Sequence, residues 1–215
     1  MTSDSDTAAH WETVYATKPT DQVSWHQPEA AMSLRLITAA SSASASVVDV
    51  GAGASPLADG LLDAGYGDVT VLDVSAHALA AVQARLAHRT GVSYVTTDLL
   101  NWQPDRTFDV LHDRAVFHFL IDLADRQQYV ATVASVVTPG GVLVLGTFAA
   151  DGPTSCSGLP TARYSPDDLA AQFKGTFTVE HAEREEHHTP AATVQPFTWL
   201  VLRRSQHDSA GTLTP

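Results

Sequence analysis

The sequence predicts an α/β fold built on a mostly parallel sheet with helices on both faces. Three observations carry this. Almost uninterrupted Val/Leu runs recur at 47–50, 69–72 and 142–145, as strands buried on both faces require. Segments with helical spacing separate them, the alternation of a βαβ chain. Hydrophobic residues make up 44% of 215 residues, enough for one packed core, and the length fits a single domain.

Val47-Val48-Asp49-Val50 is a β-branched strand ending at Gly51. Ser55 reads as a helix cap with Pro56 at the first helical position. Leu57, Leu61 and Leu62 have helical spacing, and Gly65 stands past the end. Val69–Leu72 is the second strand, ending at Asp73. Ser75 caps a helix with Leu79, Val82 and Leu86 on one face. Arg85, His88 and Arg89 suit its C-terminal dipole, and Gly91 stops it. The third strand is 92–97, ending at Asp98, and the fourth is 108–111, ending near Asp113. A helix from about 123 to 137 places Val130, Val133 and Val137 at helical spacing. Pro139-Gly140-Gly141 breaks it before the fifth strand, 142–145.

The pattern then changes. Residues 149–164 form a Gly/Pro/Ser-rich loop. Ser165-Pro166-Asp167-Asp168 opens a short helix with cap, proline and first-turn acids in order. Two late strands, about 176–183 and 193–203, flank His187-His188-Thr189-Pro190, which predicts an antiparallel pair at the sheet edge. Residues 1–9 read as a frayed start and 205–215 as a flexible polar tail, so the expected domain is 1–204.

Charge narrows the function. Twelve Lys/Arg face 24 Asp/Glu, a net charge of −12, which repels nucleic acid and anionic membranes. The single cysteine, Cys156, excludes a disulfide within the chain and a multi-cysteine metal site. His187 and His188 are adjacent on extended backbone and point to opposite faces, so no metal site is expected. No apolar run reaches the roughly 20 residues of a membrane span. The polar, acidic start Met1–Thr7 lacks the parts of a secretory signal, so a cytoplasmic location is expected. The expected state is a monomer or homodimer.

The most informative segment is Val47–Pro56, where a strand enters the turn Gly51-Ala52-Gly53 and then a helix. Glycines let the backbone approach a ligand, and free N–H groups favour an anion. Asp73 ends the next strand, 22 residues after Gly51, placed to accept hydrogen bonds from ribose hydroxyls. Pro56 holds the position of the third glycine of the dinucleotide pattern, which counts against NAD. No lysine follows, which excludes the GxxxxGK[ST] nucleotide loop. An adenosyl ligand other than NAD or ATP fits.

The segments VVDVGAGASPLADGLLDAG, VTVLDVS, TTDLL, FDVLHDRAVFHFL and TPGGVLVLGTF, in that order over residues 45–150, resemble class I S-adenosylmethionine-dependent methyltransferases. The resemblance implies a Rossmann-like, doubly wound, seven-stranded sheet with a C-terminal antiparallel hairpin. It implies S-adenosylmethionine as cofactor: Asp49, Gly51, Ala52 and Gly53 at its methionine end, Asp73 and Val74 at the ribose, Asp98 and Leu99 beside the adenine. The start, Trp11 to Lys18 through Ser24-Trp25-His26-Gln27, is similar to the N-terminal lid of thiopurine S-methyltransferase-like enzymes, as are Asp113-Arg114-Ala115, Asp125-Arg126 and Tyr129. By that likeness residues 1–28 form an aromatic lid. Trp11, Tyr15 and Trp25 flank cofactor and substrate, and Arg114 lies at the active site.

Methyl transfer from a sulfonium needs a nucleophile held about 3–3.5 Å from the methyl carbon and water kept out. Trp25, Phe117 and Phe119 are candidate walls. His118, just past the fourth strand, is the candidate base or substrate contact if its pKa is near neutral. Arg114 is the candidate partner of an anionic substrate or of the cofactor carboxylate. The expected acceptor is a sulfur or nitrogen of a small molecule. The alternatives are a protein lysine methyltransferase, a non-catalytic regulator binding the cofactor, and an NAD-dependent oxidoreductase.

Overall fold

The computed structural model describes residues 4–206. Helices α1 (Asp4–Thr17) and α2 (Ala31–Ala40) precede β1 (Val47–Val50). There follow α3 (Leu57–Asp63), β2 (Val69–Asp73), α4 (Ala76–Arg85), β3 (Val92–Thr96), β4 (Phe108–Arg114), α5 (Leu123–Val136) and β5 (Val137–Phe148). A two-residue ladder, β6 (Ser155–Cys156) with β7 (Leu159–Pro160), leads to α6 (Pro166–Gln172). The hairpin β8 (Phe177–His188) and β9 (Val194–Arg204) ends the fold.

Seven strands form one sheet in the order β3-β2-β1-β4-β5-β9-β8. The first five are parallel, and β9 runs antiparallel to β5 and β8. This is a Rossmann-like methyltransferase topology. The chain winds outward from β1 through β2 to β3, then returns to place β4 on the other side of β1. Such a reversal opens a crevice at the carboxyl ends of the strands.

The period-two alternation of a strand divides the core into two layers. Val47, Val69, Val71, Val110, Val142 and Val144 pack with Leu57, Leu61, Leu79 and Val82 on the face covered by α2, α3 and α4. Val48, Val50, Leu111, Leu143 and Leu145 pack with Tyr129, Val133 and Phe173 under α5 and α6.

Several boundaries differ from the sequence reading. β4 runs on through His112, Asp113 and Arg114. β5 begins at Val137, directly after α5, and Thr138–Gly141 shift its register against β4. α3 starts at Leu57, so Pro56 is a cap position; the Ser55 hydroxyl still accepts from the Leu57 N–H at 3.2 Å. α4 ends at Arg85 rather than near Gly91. Arg85 stands in its last turn, where a cation suits the dipole, and also binds Asp59, while Arg89, beyond the helix, binds Asp63. The Ser75 and Ser165 caps are present, each hydroxyl accepting an N–H three residues on.

β8 is the largest departure. It extends through His187 and His188, which the sequence places in the connection; the antiparallel pair lies at the sheet edge as expected, with β8 outermost. Polar residues occupy both of its faces, which blunts an open edge against pairing with another chain. Most of the tail expected at 205–215 lies outside the described residues. Among those described, no helix is long and apolar enough to cross a membrane, and no cluster of His, Cys, Asp and Glu is arranged to hold a metal.

Candidate active site

A cavity of about 1120 Å³ lies over the carboxyl ends of β1, β2 and β4. Gly51, Asp73, Val74, Asp98 and Leu99 line one side. Trp11, Tyr15 and Trp25 come down on it from the N-terminal segment, and Arg114 and His118 reach it from the end of β4. A smaller cavity of about 50 Å³ adjoins it, lined by Asp49, Gly51, Ala52, Ser33, His112 and again by Tyr15, Trp25 and Arg114. Gly53 lines neither. Its role is backbone: the Gly53 N–H donates to Asp73 Oδ2 at 2.7 Å.

The glycine turn needs its glycines for space as well as conformation. Gly51 and Gly53 have φ of +60° and +55°, where L side chains are strained. A Cβ on Gly51 would lie 2.0 Å from Val116 Cγ2, and one on Gly53 would lie 2.1 Å from Tyr15 Oη.

Asp73 is buried and accepts two backbone N–H groups, Gly53 on one oxygen and Ser75 on the other at 2.8 Å. A carboxylate offers about four lone-pair directions, and the Val74 N–H adds to the pull of these two. Burial nevertheless pushes its pKa up to about 6, against the pull of the N–H groups.

Arg114 is partly exposed as a residue, but its guanidinium atoms Nε and Nη2 are buried. Nη1 donates to the Trp25 carbonyl at 3.2 Å, and the guanidinium lies 4.6 Å above the Phe197 ring. Among the described residues Nε and Nη2 are buried without a partner, and none of the carboxylates forms an ion pair with it. Burial lowers its pKa to about 10. Leaving buried donors unanswered costs about 1–3 kcal/mol each, more for a charged group, so this is an expensive arrangement to keep without a ligand.

His118 is fully buried, stacked on Phe148 at 4.2 Å, with both ring nitrogens unpartnered. Burial first, and Arg114 second, push its pKa down to about 3. The near-neutral imidazole expected from the sequence is therefore not what this site holds: His118 is neutral and too weak a base to take a proton at pH 7. Phe117 is a second correction. It faces Tyr129, Tyr164 and Phe173 in the core and does not line the cavity; Phe119 does, against Trp11.

The loop carrying Arg114 and His118 is held from below. Asp113 accepts the Val116 and Phe117 N–H groups at 2.8 and 3.2 Å and the Tyr129 hydroxyl at 2.6 Å. That grip fixes Ala115 at a φ of +76°, in the left-handed region that a non-glycine residue rarely adopts. His112, read from sequence as an ordinary strand residue, bridges Asp49 and Ser33. Nδ1 donates to Asp49 at 2.7 Å, and Nε2 lies 2.9 Å from the Ser33 hydroxyl.

The N-terminal segment is tied at both ends. Glu12 accepts from the Ser75 hydroxyl and binds the His77 ring, each at 2.5 Å, and these donors hold its pKa down at about 2. At the other end, His187 Nε2 donates to the Ser24 carbonyl at 2.8 Å and Gln27 donates to Glu185 at 3.2 Å. Between them Trp25 Nε1 donates to Tyr15 Oη at 3.1 Å. The sequence reading missed Glu12, His187, Phe148, Phe197 and Gln195 as site residues. Only Glu12 carried a local signal, an acid one residue after Trp11.

Residues 47–141, less than half of the chain, match the family described as "Methyltransferase domain". Nodulation protein S of Rhizobium tropici is 28% identical over 79 residues, covering 37% of this chain and 33% of that protein. The matched stretch thus spans about a third of that relative's length. A chain solved in a study of the conversion of a disulfide bond into a thioacetal group during echinomycin biosynthesis superposes with a TM-score of 0.75 at 21% identity, covering 94% of each chain. Burkholderia thailandensis 1,6-didemethyltoxoflavin-N1-methyltransferase, solved with its substrate and S-adenosylhomocysteine, gives 0.74 at 20% identity over 95% of this chain and 92% of that one. At these identities the structural matches speak to the fold.

Proposed function

We propose that this chain, a class I S-adenosylmethionine-dependent methyltransferase by fold and by the family match of residues 47–141, moves a methyl group to a sulfur or nitrogen of a small molecule. S-adenosylmethionine is the cofactor of that family. The observation that carries the reading is the pairing of Asp73, a buried carboxylate at the end of β2, and the glycine turn whose Gly53 N–H it accepts, both beside one large cavity.

The residues present fit the cofactor. A Cβ would fill the turn at Gly51, so close backbone approach is built in. Asp73 takes the ribose hydroxyls, Asp98 and Leu99 border the adenine, and Asp49 with Gly51-Ala52 receives the amino-acid end. When bound, the cofactor supplies an electrophilic methyl group on a positively charged sulfur. Trp11, Tyr15, Trp25 and Phe119 wall the site and exclude water as a lid. An apolar wall suits a displacement in which charge disappears, and the walls hold the acceptor in line at about 3–3.5 Å. Because His118 is neutral and weakly basic, the acceptor reaches the site already in its nucleophilic form.

Thermal unfolding with S-adenosylmethionine, S-adenosylhomocysteine and NAD tests this. A ligand at 100 times its dissociation constant adds about 2.7 kcal/mol, a rise of about 5–11 °C for this length. A shift with either adenosyl ligand and none with NAD is expected. A shift with NAD alone would reject the reading.

A further inference from the structure

The acceptor end of the cavity holds two polar side chains that nothing in the protein answers. They are Arg114, with Nε and Nη2 buried and unpartnered, and His118, with both ring nitrogens in that state. They are neighbours, since the Arg114 charge is felt at His118. They flank one aromatic surface: the guanidinium lies over Phe197, His118 stacks on Phe148, and the two phenylalanines meet edge to face at 5.1 Å. His118, Phe148 and Phe197 line the larger cavity and not the smaller one, whereas Arg114 lines both.

No carboxylate neutralises this corner. Glu185 lowers the local potential at Arg114 but is itself engaged by Trp199 Nε1 at 2.8 Å and by Gln27. Asp122 and Asp125, at the start of α5, also line the cavity, but neither pairs with Arg114 or is among the groups that shift His118. Cys156, also on the lining, is a buried thiol whose pKa burial raises, so it brings no negative charge.

We propose that the methyl acceptor is a flat, apolar molecule bearing an anionic group, a carboxylate or its equivalent, seated between Arg114 and His118 on Phe148 and Phe197. The inference rests on the methyltransferase reading above and deepens it. A guanidinium with two free N–H groups pairs with a carboxylate in the geometry such groups prefer. Neutral His118 donates one further hydrogen bond, and the aromatic pair takes the ring. The same guanidinium repels an ammonium, which disfavours a protein lysine side chain as acceptor.

The test uses the full chain loaded with S-adenosylhomocysteine, with benzoate and the uncharged benzyl alcohol as probes, read by calorimetry. Benzoate is expected to bind at least tenfold more tightly. His118→Asn and Arg114→Gln should each remove most of that preference while S-adenosylhomocysteine affinity stays within about threefold. Equal binding of the two probes, or no benzoate binding, would overturn the proposal without any variant. So would an Arg114→Gln variant that loses S-adenosylhomocysteine but keeps the benzoate preference, since the guanidinium would then serve the cofactor. Failure of the wild-type chain to bind S-adenosylhomocysteine would instead overturn the methyltransferase reading, and this proposal with it.

Discussion

Asp73 sits where its charge is costly and its hydrogen bonds are valuable, and this predicts how cofactor affinity varies with pH. Its pKa in the free protein is raised to about 6, burial outweighing the Gly53 and Ser75 N–H groups. If, as proposed, Asp73 receives ribose hydroxyls, these would donate to its ionised form, so binding and ionisation would favour each other. At pH 5 a group with a pKa of 6 is only about 9% ionised, so affinity for S-adenosylhomocysteine should be about tenfold weaker than at pH 7.5, some 1.4 kcal/mol. Asp73→Asn removes the charge and one acceptor. Hydrogen bonds to a charged group are worth about 1.5–3 kcal/mol, so affinity at pH 7.5 should fall about 10- to 150-fold. The remaining binding should be flat with pH. Calorimetric titrations at pH 5.0, 6.0 and 7.5 on both proteins measure this. A wild-type affinity that does not change over that range, or an Asp73→Asn protein with the same pH profile, would refute the reasoning.

Three further outcomes follow from the same geometry. Gly53→Ala places a Cβ 2.1 Å from the Tyr15 hydroxyl at a φ of +55°; Tyr15 must move and release Trp25, so cofactor affinity should drop more than tenfold while circular dichroism stays unchanged. Tyr129→Phe removes the hydroxyl that Asp113 accepts at 2.6 Å; the loss of about 1.5–3 kcal/mol should lower the thermal midpoint by about 3–12 °C. Burial pushes the pKa values of Asp113 and Asp73 up to about 6, above the ordinary aspartate value of 3.8. The folded state therefore binds more protons between those values, and their contribution to stability falls as pH rises from about 4 to 6. Saturating S-adenosylhomocysteine should remove the Asp73 share of that slope, which thermal scans across the range will show.

What could be read from sequence follows from what each segment must satisfy. β1 and β2 are buried on both faces, so apart from Asp49, Thr70 and Asp73 they are apolar and their runs announce themselves. β4 carries His112 and Asp113 inside the sheet, and the run seems to end early. The structure admits them because each has hydrogen-bond partners: Asp49 and Ser33, both distant in sequence, for His112, and the nearby Val116 and Phe117 N–H groups with the Tyr129 hydroxyl for Asp113. β8 was cut short for the opposite reason. With polar residues on both faces it shows no alternation, and only its pairing with β9 makes it a strand. α2 had no signal at all, since Ala30 gives it no side-chain cap.

The candidate site divides along the same line. The glycine turn and Asp73 are local: a strand, a turn and the end of the next strand define them, and the sequence states all three. The acceptor corner is not local. Whether His118 is a base depends on Phe148 and Arg114 around it. Phe119 rather than Phe117 meets the cavity because a single 3-10 turn, Phe117–Phe119, decides which ring faces outward. The loop's path is set by Asp113 and Tyr129 beneath it. Cofactor class is thus encoded in short range and acceptor chemistry in long range. A change of acceptor could therefore come from the β5–α6 loop, β9 and the turn after β4 while the glycine turn stays fixed. On this reasoning, swapping Phe148 or Phe197 for leucine should alter which acceptors are used and leave S-adenosylhomocysteine affinity where it was. An equal loss of both would mean that the two halves of the cavity are one packing unit.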